Sequence, residues 1–179
     1  MKKAILPFVF LLVTGAAGAQ KSYTPLDAGS QVHFVIKNFG IKTGGDFSGL
    51  KGSIKFDPAN LGASSFDVTI DAKTVNTDND MRDDHLRESD FFDVAKYPLI
   101  SMKSTKITQS TVAGRFYVFA NLTIRGVTKP VGFGFSAVAK DGGYVFDGDF
   151  SINRRDFGVG GSSISMADNL KVTLHVVAK

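Results

Sequence analysis

Side chains that could carry acid–base or metal chemistry are concentrated in segment 78–93. His85 lies near its centre, with charged neighbours on both sides: Arg82, Asp83, Asp84, Arg87 and Glu88. A histidine beside carboxylates could act as a general base or bind a metal ion, but the first role needs an oriented partner and the second needs further ligands. His33 and His175 are far away in the sequence, and no H-x-H or H-x-x-x-H spacing occurs. We therefore predict no catalytic residue and a structural, hydrogen-bonded role for His85; an enzyme centred on His85 and the neighbouring aspartates is the alternative.

Two other patterns approach known sites without meeting their requirements. Asn76, Asp78 and Asp80 have the spacing of the first ligands of a calcium loop. Met81 stands where that loop needs glycine, and Arg87 stands where it needs glutamate. The serines of the glycine-rich loop near the C-terminus lack the G-x-S-x-G elbow of a hydrolase. The sequence therefore predicts no metal site and no nucleophilic serine.

Alternation of apolar and polar residues dominates the chain beyond its N-terminal segment. Eight stretches show it, at 31–37, 54–56, 66–73, 100–103, 116–125, 131–136, 144–153 and 170–177. One-sided alternation is typical of antiparallel strands with one face in water. Between the third and fourth stretches the alternation stops, and the spacing of Met81, His85 and Leu86 predicts a short helix. We predict an all-β fold, an eight-stranded antiparallel lipocalin-like barrel with a short helical insert after the third strand.

Phenylalanine recurs at the apolar positions of these alternating stretches, and the chain has 16 Phe and no Trp. We predict that a cavity wall is formed by Phe34, Phe56, Phe116, Phe133, Phe135, Phe146 and Phe150, with Phe91 and Phe92 of the insert as lid, wall or core anchor. An eight-stranded barrel can be filled by side chains or can hold one slender ligand, and composition does not decide between the two. Gly132, Gly134 and Gly148 lie among these residues and favour a cavity. On that view, Gly134→Trp should reduce the amount of bound lipid.

The N-terminal segment has the features of a secretory signal peptide. Lys2 and Lys3 precede a short apolar run, 4–13, and Ala17-Gly18-Ala19 is a cleavage site of small residues. We predict a signal peptide at 1–19, a single domain at 20–179, and a periplasmic location. The formal net charge of +4 falls by two without the signal lysines and does not suggest nucleic-acid binding. An outer-membrane barrel would carry Trp and Tyr girdles, and this chain has no Trp and only 4 Tyr.

Several stretches together resemble the YceI-like family of lipid-binding proteins. They are 32–40 (VHFVIKNFG), 45–57 (GDFSGLKGSIKFD), 82–98 (RDDHLRESDFFDVAKYP), 122–131 (LTIRGVTKPV) and 153–158 (NRRDFG). The resemblance covers nearly all of the chain from Tyr23 onward, and stretch 82–98 is the most specific part. It implies an extended barrel with a helical insert, a polyisoprenoid or isoprenoid quinone in its interior, periplasmic location and no catalysis, with a homodimer as one option.

The predicted function is binding, storage or transport of a long apolar lipid, with no cofactor other than this ligand. The predicted partners include no nucleic acid, and no segment is predicted to span a membrane. Basic residues near strand ends could contact a lipid head group, or could be ordinary solvated surface: Arg125, Lys129, Arg154 and Arg155. A filled barrel that acts as a stress-response or interaction module is a further alternative.

Overall fold

The computed structural model describes residues 21–179, so the predicted signal peptide lies outside the described residues. The described chain forms ten strands: β1 (Ser22–Tyr23), β2 (Pro25–Asn38), β3 (Ile41–Phe47), β4 (Lys51–Lys55), β5 (Ser65–Asp71), β6 (Leu99–Gln109), β7 (Phe116–Ile124), β8 (Val127–Lys140), β9 (Gly143–Asn153) and β10 (Met166–Ala178). One α-helix, α1 (Asp80–Arg87), lies between β5 and β6. Short 3-10 turns occupy Leu61–Ala63, Ala72–Thr74 and Arg154–Phe157.

All ten strands belong to one curled antiparallel sheet. Their order is β1-β4-β5-β6-β7-β8-β9-β10-β2-β3, so β1 and β3 are the two ends of the sheet. No ladder joins these two ends within the described residues. The all-β antiparallel fold is therefore confirmed, whereas the prediction of a closed barrel of eight strands is wrong: the sheet is a half-barrel of ten strands.

The two additional strands, β1 and β3, lie outside the eight alternating stretches from which strands were predicted. At Thr24 the chain changes partner, since β1 pairs with β4 whereas β2 pairs with β10. Between β3 and β4 the chain bends at Gly49, whose φ of +76° is a conformation that glycine adopts without strain. On either side of this bend β3 pairs with β2 and β4 pairs with β5. β1 has only two residues, and β3 contains the adjacent Gly44 and Gly45, so neither shows the alternation of apolar and polar side chains that predicts a strand.

The insert, residues 72–98, contains the predicted helix and follows the third predicted strand, which is β5. The Asn79 side chain accepts a hydrogen bond from the Arg82 backbone N–H at 2.9 Å and so caps the start of α1. Asp83 is buried and accepts hydrogen bonds from the backbone N–H and the hydroxyl of Thr77. Arg87 donates to the carbonyl oxygens of Lys73 and Val75. These contacts confirm the helix and fix it to the chain that leaves β5.

An aromatic cluster fills one end of the curled sheet. Phe56 is at its centre, with ring centroids 5.1 to 6.4 Å from those of Phe66, Phe116, Phe135, Tyr144 and Phe146. Burial raises the pKa of the Tyr144 hydroxyl above its ordinary value of 10.0, and Tyr23 and Asp57 add to this rise. A second set of buried side chains lies toward the insert and consists mainly of Leu50, Ile70, Ile100, Leu122, Ile124, Phe157 and Val159.

Candidate ligand-binding cavity

A cavity of about 230 Å³ lies inside the curled sheet, between the aromatic cluster and the insert. Every strand except β1 contributes to its wall, and the insert contributes Leu86, Phe91 and Phe92. The lining is almost entirely apolar. Such a wall offers few hydrogen bonds and is suited to a ligand whose surface is mainly hydrocarbon.

The inward side chains of β2 and β10 show that this space is not filled by protein. Phe34 pairs with Val172 and Ile36 pairs with Leu170 across the two strands, and all four line the cavity. These side chains are only half-buried although they face the interior, because no side chain of residues 21–179 covers them fully. Thr173, which follows Val172, is exposed on the opposite face. The predicted alternation therefore places an apolar but incompletely packed surface on the inside.

Seven of the nine predicted wall residues line this cavity: Phe34, Phe91, Phe92, Phe133, Phe135, Phe146 and Phe150. Phe133 and Phe150 stack with centroids 4.6 Å apart and an interplanar angle of 15°. The other two, Phe56 and Phe116, lie outside the lining, and their exposed fractions are 3% and 8%. The structure places them in the aromatic cluster, because they lie on the strand ends farthest from the insert. Contact of the seven lining residues with a ligand stays a prediction.

One of the glycines predicted to lie beside the cavity, Gly134, faces the outside of the sheet instead. Gly134 pairs with Tyr117, and a Cβ added to it would lie 3.9 Å from the Arg115 guanidinium on the outside of the sheet. Gly148 lines the cavity, and a Cβ there would lie 3.2 Å from the Phe133 ring. The Gly134→Trp test of cavity blocking is therefore wrong in its choice of residue, since Gly134 alternates with inward phenylalanines and so faces outward.

Arg154 is the predicted basic residue that reaches the cavity wall, but its guanidinium is already engaged. It is 3% exposed and donates to the carbonyl oxygens of Val159, Gly160, Gly161, Met166 and Ala167. It also pairs with Asp168 at 2.9 Å. Because these partners use its donors, Arg154 organises the loop before β10 and has little capacity left for a head group.

The other three predicted basic residues are not part of the cavity lining. Arg125 donates to the carbonyl oxygens of Gly158 and Ser89 and so joins the β7–β8 turn to the insert. Arg155 is half-exposed and lies 3.5 Å from the Asp168 carboxylate. Lys129 is exposed near the start of β8.

His85 is exposed on α1 and contacts the Phe91 ring edge-on, with centroids 4.8 Å apart. Within residues 21–179 this ring contact joins two parts of the insert, and the hydrogen-bonded role of His85 stays a prediction. The other two histidines pair with carboxylates on neighbouring strands, His33 with Asp46 and His175 with Asp147. No group of three or more histidine and acidic side chains suited to a metal ion occurs in residues 21–179.

A small polar region at the insert end of the cavity was missed by the sequence reasoning. Asn38 and Thr43 line the cavity from β2 and β3, and Thr77 and Arg82 line it from the insert. Arg82 donates from Nε to the Thr77 hydroxyl at 2.7 Å and from Nη2 to the Thr77 carbonyl oxygen at 2.6 Å. The buried Asn38 Oδ1 has no hydrogen-bond partner in the described part of the chain. Alternation along β2 could have indicated Asn38, because it continues the inward series of Val32, Phe34 and Ile36.

Comparison with known proteins gives a family match over most of the chain. A family model described as a YceI-like domain matches residues 23–178. Protein YceI of Salmonella agona (strain SL483) is 36% identical over 138 residues, which are 73% of this chain and 70% of that protein. A UPF0312 protein of Pseudomonas aeruginosa (strain LESB58) is 34% identical over 135 residues, which are 72% of this chain and 70% of that protein.

Solved structures agree with the fold. BcnA of Burkholderia cenocepacia superposes with a TM-score of 0.81 at 28% identity, covering 87% of this chain and 99% of that one. A polyisoprenoid binding domain from Saccharophagus degradans, implicated in plant cell wall breakdown, superposes with a TM-score of 0.68 at 18% identity, covering 88% of this chain and 97% of that one. At that identity the second likeness concerns the fold alone. Within residues 21–179, no helix has the length and apolar character needed to cross a bilayer.

Proposed function

This chain belongs to the YceI-like domain family, and we propose that it is a carrier that binds one long apolar lipid of the polyisoprenoid or isoprenoid quinone type inside the curled sheet. The observation that carries the proposal is the cavity itself, an unfilled space of about 230 Å³ whose wall is almost entirely hydrocarbon. The description of the Saccharophagus degradans domain as polyisoprenoid binding points in the same direction. We further propose periplasmic location; homodimer formation stays a prediction.

Binding would come from removal of the lipid chain from water. Each buried methylene contributes roughly 0.8 kcal/mol before ordering costs, so a long chain can bind firmly with few hydrogen bonds. The Phe133–Phe150 stack and the half-buried β2 and β10 side chains supply the apolar contacts. A binding role fits this wall, because its surface is almost entirely apolar.

The polar region at the insert end is where a head group would lie. Arg82 has its Nη1 left for a ligand after Nε and Nη2 donate to Thr77. A head group with a hydroxyl, carbonyl or phosphate oxygen could accept from it. We propose that the lipid tail extends from this region toward the aromatic cluster, so that its far end meets Phe135 and Phe146.

The test is chain-length-dependent displacement of an apolar fluorescent dye from delipidated protein by isoprenoid alcohols. We expect the affinity to rise with each added isoprene unit until the cavity is full, and then to level off. Val172→Trp places an indole in the cavity and should lower the affinity at least about tenfold, a change of about 1.4 kcal/mol. Thr173→Trp is the matched control on the exposed face and should bind as the unmodified protein does. Equal loss in both variants, or no dependence on chain length, would refute the proposal.

A further inference from the structure

The β2–β3 hairpin tip, residues 37–42 (KNFGIK), exposes large apolar side chains beside the polar end of the cavity. Phe39 is 79% exposed and Ile41 is 70% exposed. Asn38, between Lys37 and Phe39, lines the cavity. Asn38 also pairs with Met166 of β10, another lining residue. The tip therefore lies at the edge of the space in which the lipid would be held.

The backbone at this tip is unfavourable for the residue that occupies it. Phe39 has a φ of +49° and Gly40 a φ of +78°, so both central residues of the two-residue turn are left-handed. Such turns favour Asn-Gly, and a bulky residue at a positive φ is strained. Phe39 thus combines a strained backbone with an apolar ring in water, and neither property helps the protein to fold. This combination indicates that the ring serves a contact outside the chain.

Two lysines flank the apolar tip. Lys37 and Lys42 pair directly across the two strands, both are exposed, and neither forms an ion pair in the described part of the protein. Like charges directly opposite each other destabilise a strand pair. An anionic surface would relieve that repulsion.

The loop before β10 extends the same surface. The Phe39 backbone N–H donates to the Ser165 carbonyl oxygen at 2.7 Å, which holds the hairpin tip against this loop. Ile164, the residue before Ser165, has its side chain fully in solvent. Three large apolar side chains from two segments are therefore exposed at one end of the molecule. Lys37 and Lys42 lie in the same hairpin as two of them.

We propose that the hairpin tip and Ile164 form a docking surface for an anionic phospholipid bilayer, with Phe39, Ile41 and Ile164 entering the interface and Lys37 and Lys42 meeting the head groups. Membrane-surface binding combines apolar insertion with basic residues in this way. The inference rests on the proposed function only in that the bound lipid would pass to or from the bilayer here. Docking itself requires no bound lipid.

The orientation follows from the charges on the insert. Its exposed acidic residues would be repelled by an anionic surface, and they are Asp78, Asp80, Asp84, Glu88 and Asp90. Asp46 of β3 pairs with Asn76 of the insert, and Ile41 is five residues farther along the strand. At about 3.3 Å per residue, the tip lies about 16 Å beyond that point. The tip therefore extends beyond the point where the insert pairs with β3, and it can reach a bilayer there.

The experiment is vesicle flotation of the purified mature protein with phosphatidylcholine vesicles and with vesicles that also contain phosphatidylglycerol. We expect binding to the anionic vesicles, weaker by about fivefold in each of Lys37→Ser and Lys42→Ser, since a lysine near such a surface contributes about that factor. Phe39→Asn should weaken binding about tenfold or more. It should also fold at least as stably as the unmodified protein, because asparagine tolerates a positive φ.

Matched controls lie at the opposite end of the sheet. Val112→Asn removes an apolar side chain that is 57% exposed there, and Lys140→Ser removes an exposed lysine; both should bind vesicles normally. Equal binding by Phe39→Asn and the unmodified protein would overturn the proposal. Loss of self-association in Phe39→Asn with unchanged vesicle binding would also overturn it, because the surface would then join two copies of this chain. Protein that binds vesicles but yields no lipid on extraction would uphold docking and refute the carrier function.

Discussion

Arg154 shows how a residue that sequence reasoning assigned to ligand binding can be used by the fold instead. Its position before a glycine-rich loop and its positive charge were compatible with a head-group contact. In the structure its guanidinium is buried among backbone carbonyl oxygens of the loop at 159–167. A loop with little side-chain packing of its own has many unpaired carbonyl groups, and one arginine satisfies several of them.

Replacement of this residue should therefore affect stability more than it affects lipid chemistry. Arg154→Ala leaves the loop carbonyls without their donor and removes the closer of the two arginine partners of Asp168, and we expect a loss of about 3 kcal/mol in the free energy of unfolding. Arg155→Ala is the control, because its side chain is 51% exposed and lies 3.5 Å from the same carboxylate. Its effect should stay within about 0.5 kcal/mol. Urea denaturation followed by circular dichroism measures both, and similar values for the two variants would contradict this role.

The sequence predicted which face of a strand the phenylalanines occupy, but it did not predict where along the strand the cavity lies. Phe133, Phe135, Phe146 and Phe150 face inward because alternation fixes the face of a strand. Alternation does not show how far along the strand a residue lies between the aromatic cluster and the insert. It therefore could not separate the lining phenylalanines from Phe56 and Phe116 at the aromatic end. Polar contacts such as Arg82 with Thr77 depend on how the insert folds back, and no local pattern encodes that.

At the scale of elements, the aromatic cluster closes one end of the sheet and stabilises the strands that meet there. Phe56 is 3% exposed and contacts rings from β5, β7, β8 and β9. Phe56→Ala would leave a cavity among these rings, and we expect a loss of about 3–5 kcal/mol in unfolding free energy. Phe119→Ala on the outer face, where Phe119 is 44% exposed, should lose less than about 1 kcal/mol. Thermal and urea unfolding measure both variants. Losses of similar size in Phe56→Ala and Phe119→Ala would show that Phe56 does not hold this end together.

The insert is attached to the sheet partly through Arg125. Its guanidinium bridges the carbonyl oxygens of Ser89 and Gly158, which join the insert to the segment after β9. Arg125→Ala should increase hydrogen–deuterium exchange in segment 88–97 about tenfold, which corresponds to about 1.4 kcal/mol of local stability. Lys129→Ala, at an exposed position near the start of β8, should leave that exchange unchanged. Unaltered exchange in Arg125→Ala would mean that other contacts hold the insert.

The helix and eight of the ten strands of the described chain could be predicted from the sequence, whereas β1 and β3 could not. The helix of the insert was predictable because alternation stops there and Asn79 can cap it. Strands β1 and β3 were not predictable, because β1 has only two residues and β3, with Gly44 and Gly45, lacks the alternation of apolar and polar side chains. The positive φ of Gly49 was equally hidden, since glycine occurs in this chain in many other places.

At the scale of the whole molecule, the central property is an interior left unfilled. The apolar parity of the strands was compatible with either a packed core or a cavity, because side-chain pattern gives the face but not the enclosed volume. The structure has both, a packed aromatic cluster at one end and a cavity of about 230 Å³ toward the insert. An apolar cavity of this kind is unfavourable for water and favourable for a hydrocarbon chain.

Mass spectrometry of the organic extract from natively purified protein tests this account most directly. We predict close to one long apolar lipid per protein molecule, of isoprenoid character, and a clear reduction in the extract of Val172→Trp but not of Thr173→Trp. An extract from correctly folded protein that contains no lipid above that of a blank purification would contradict the account.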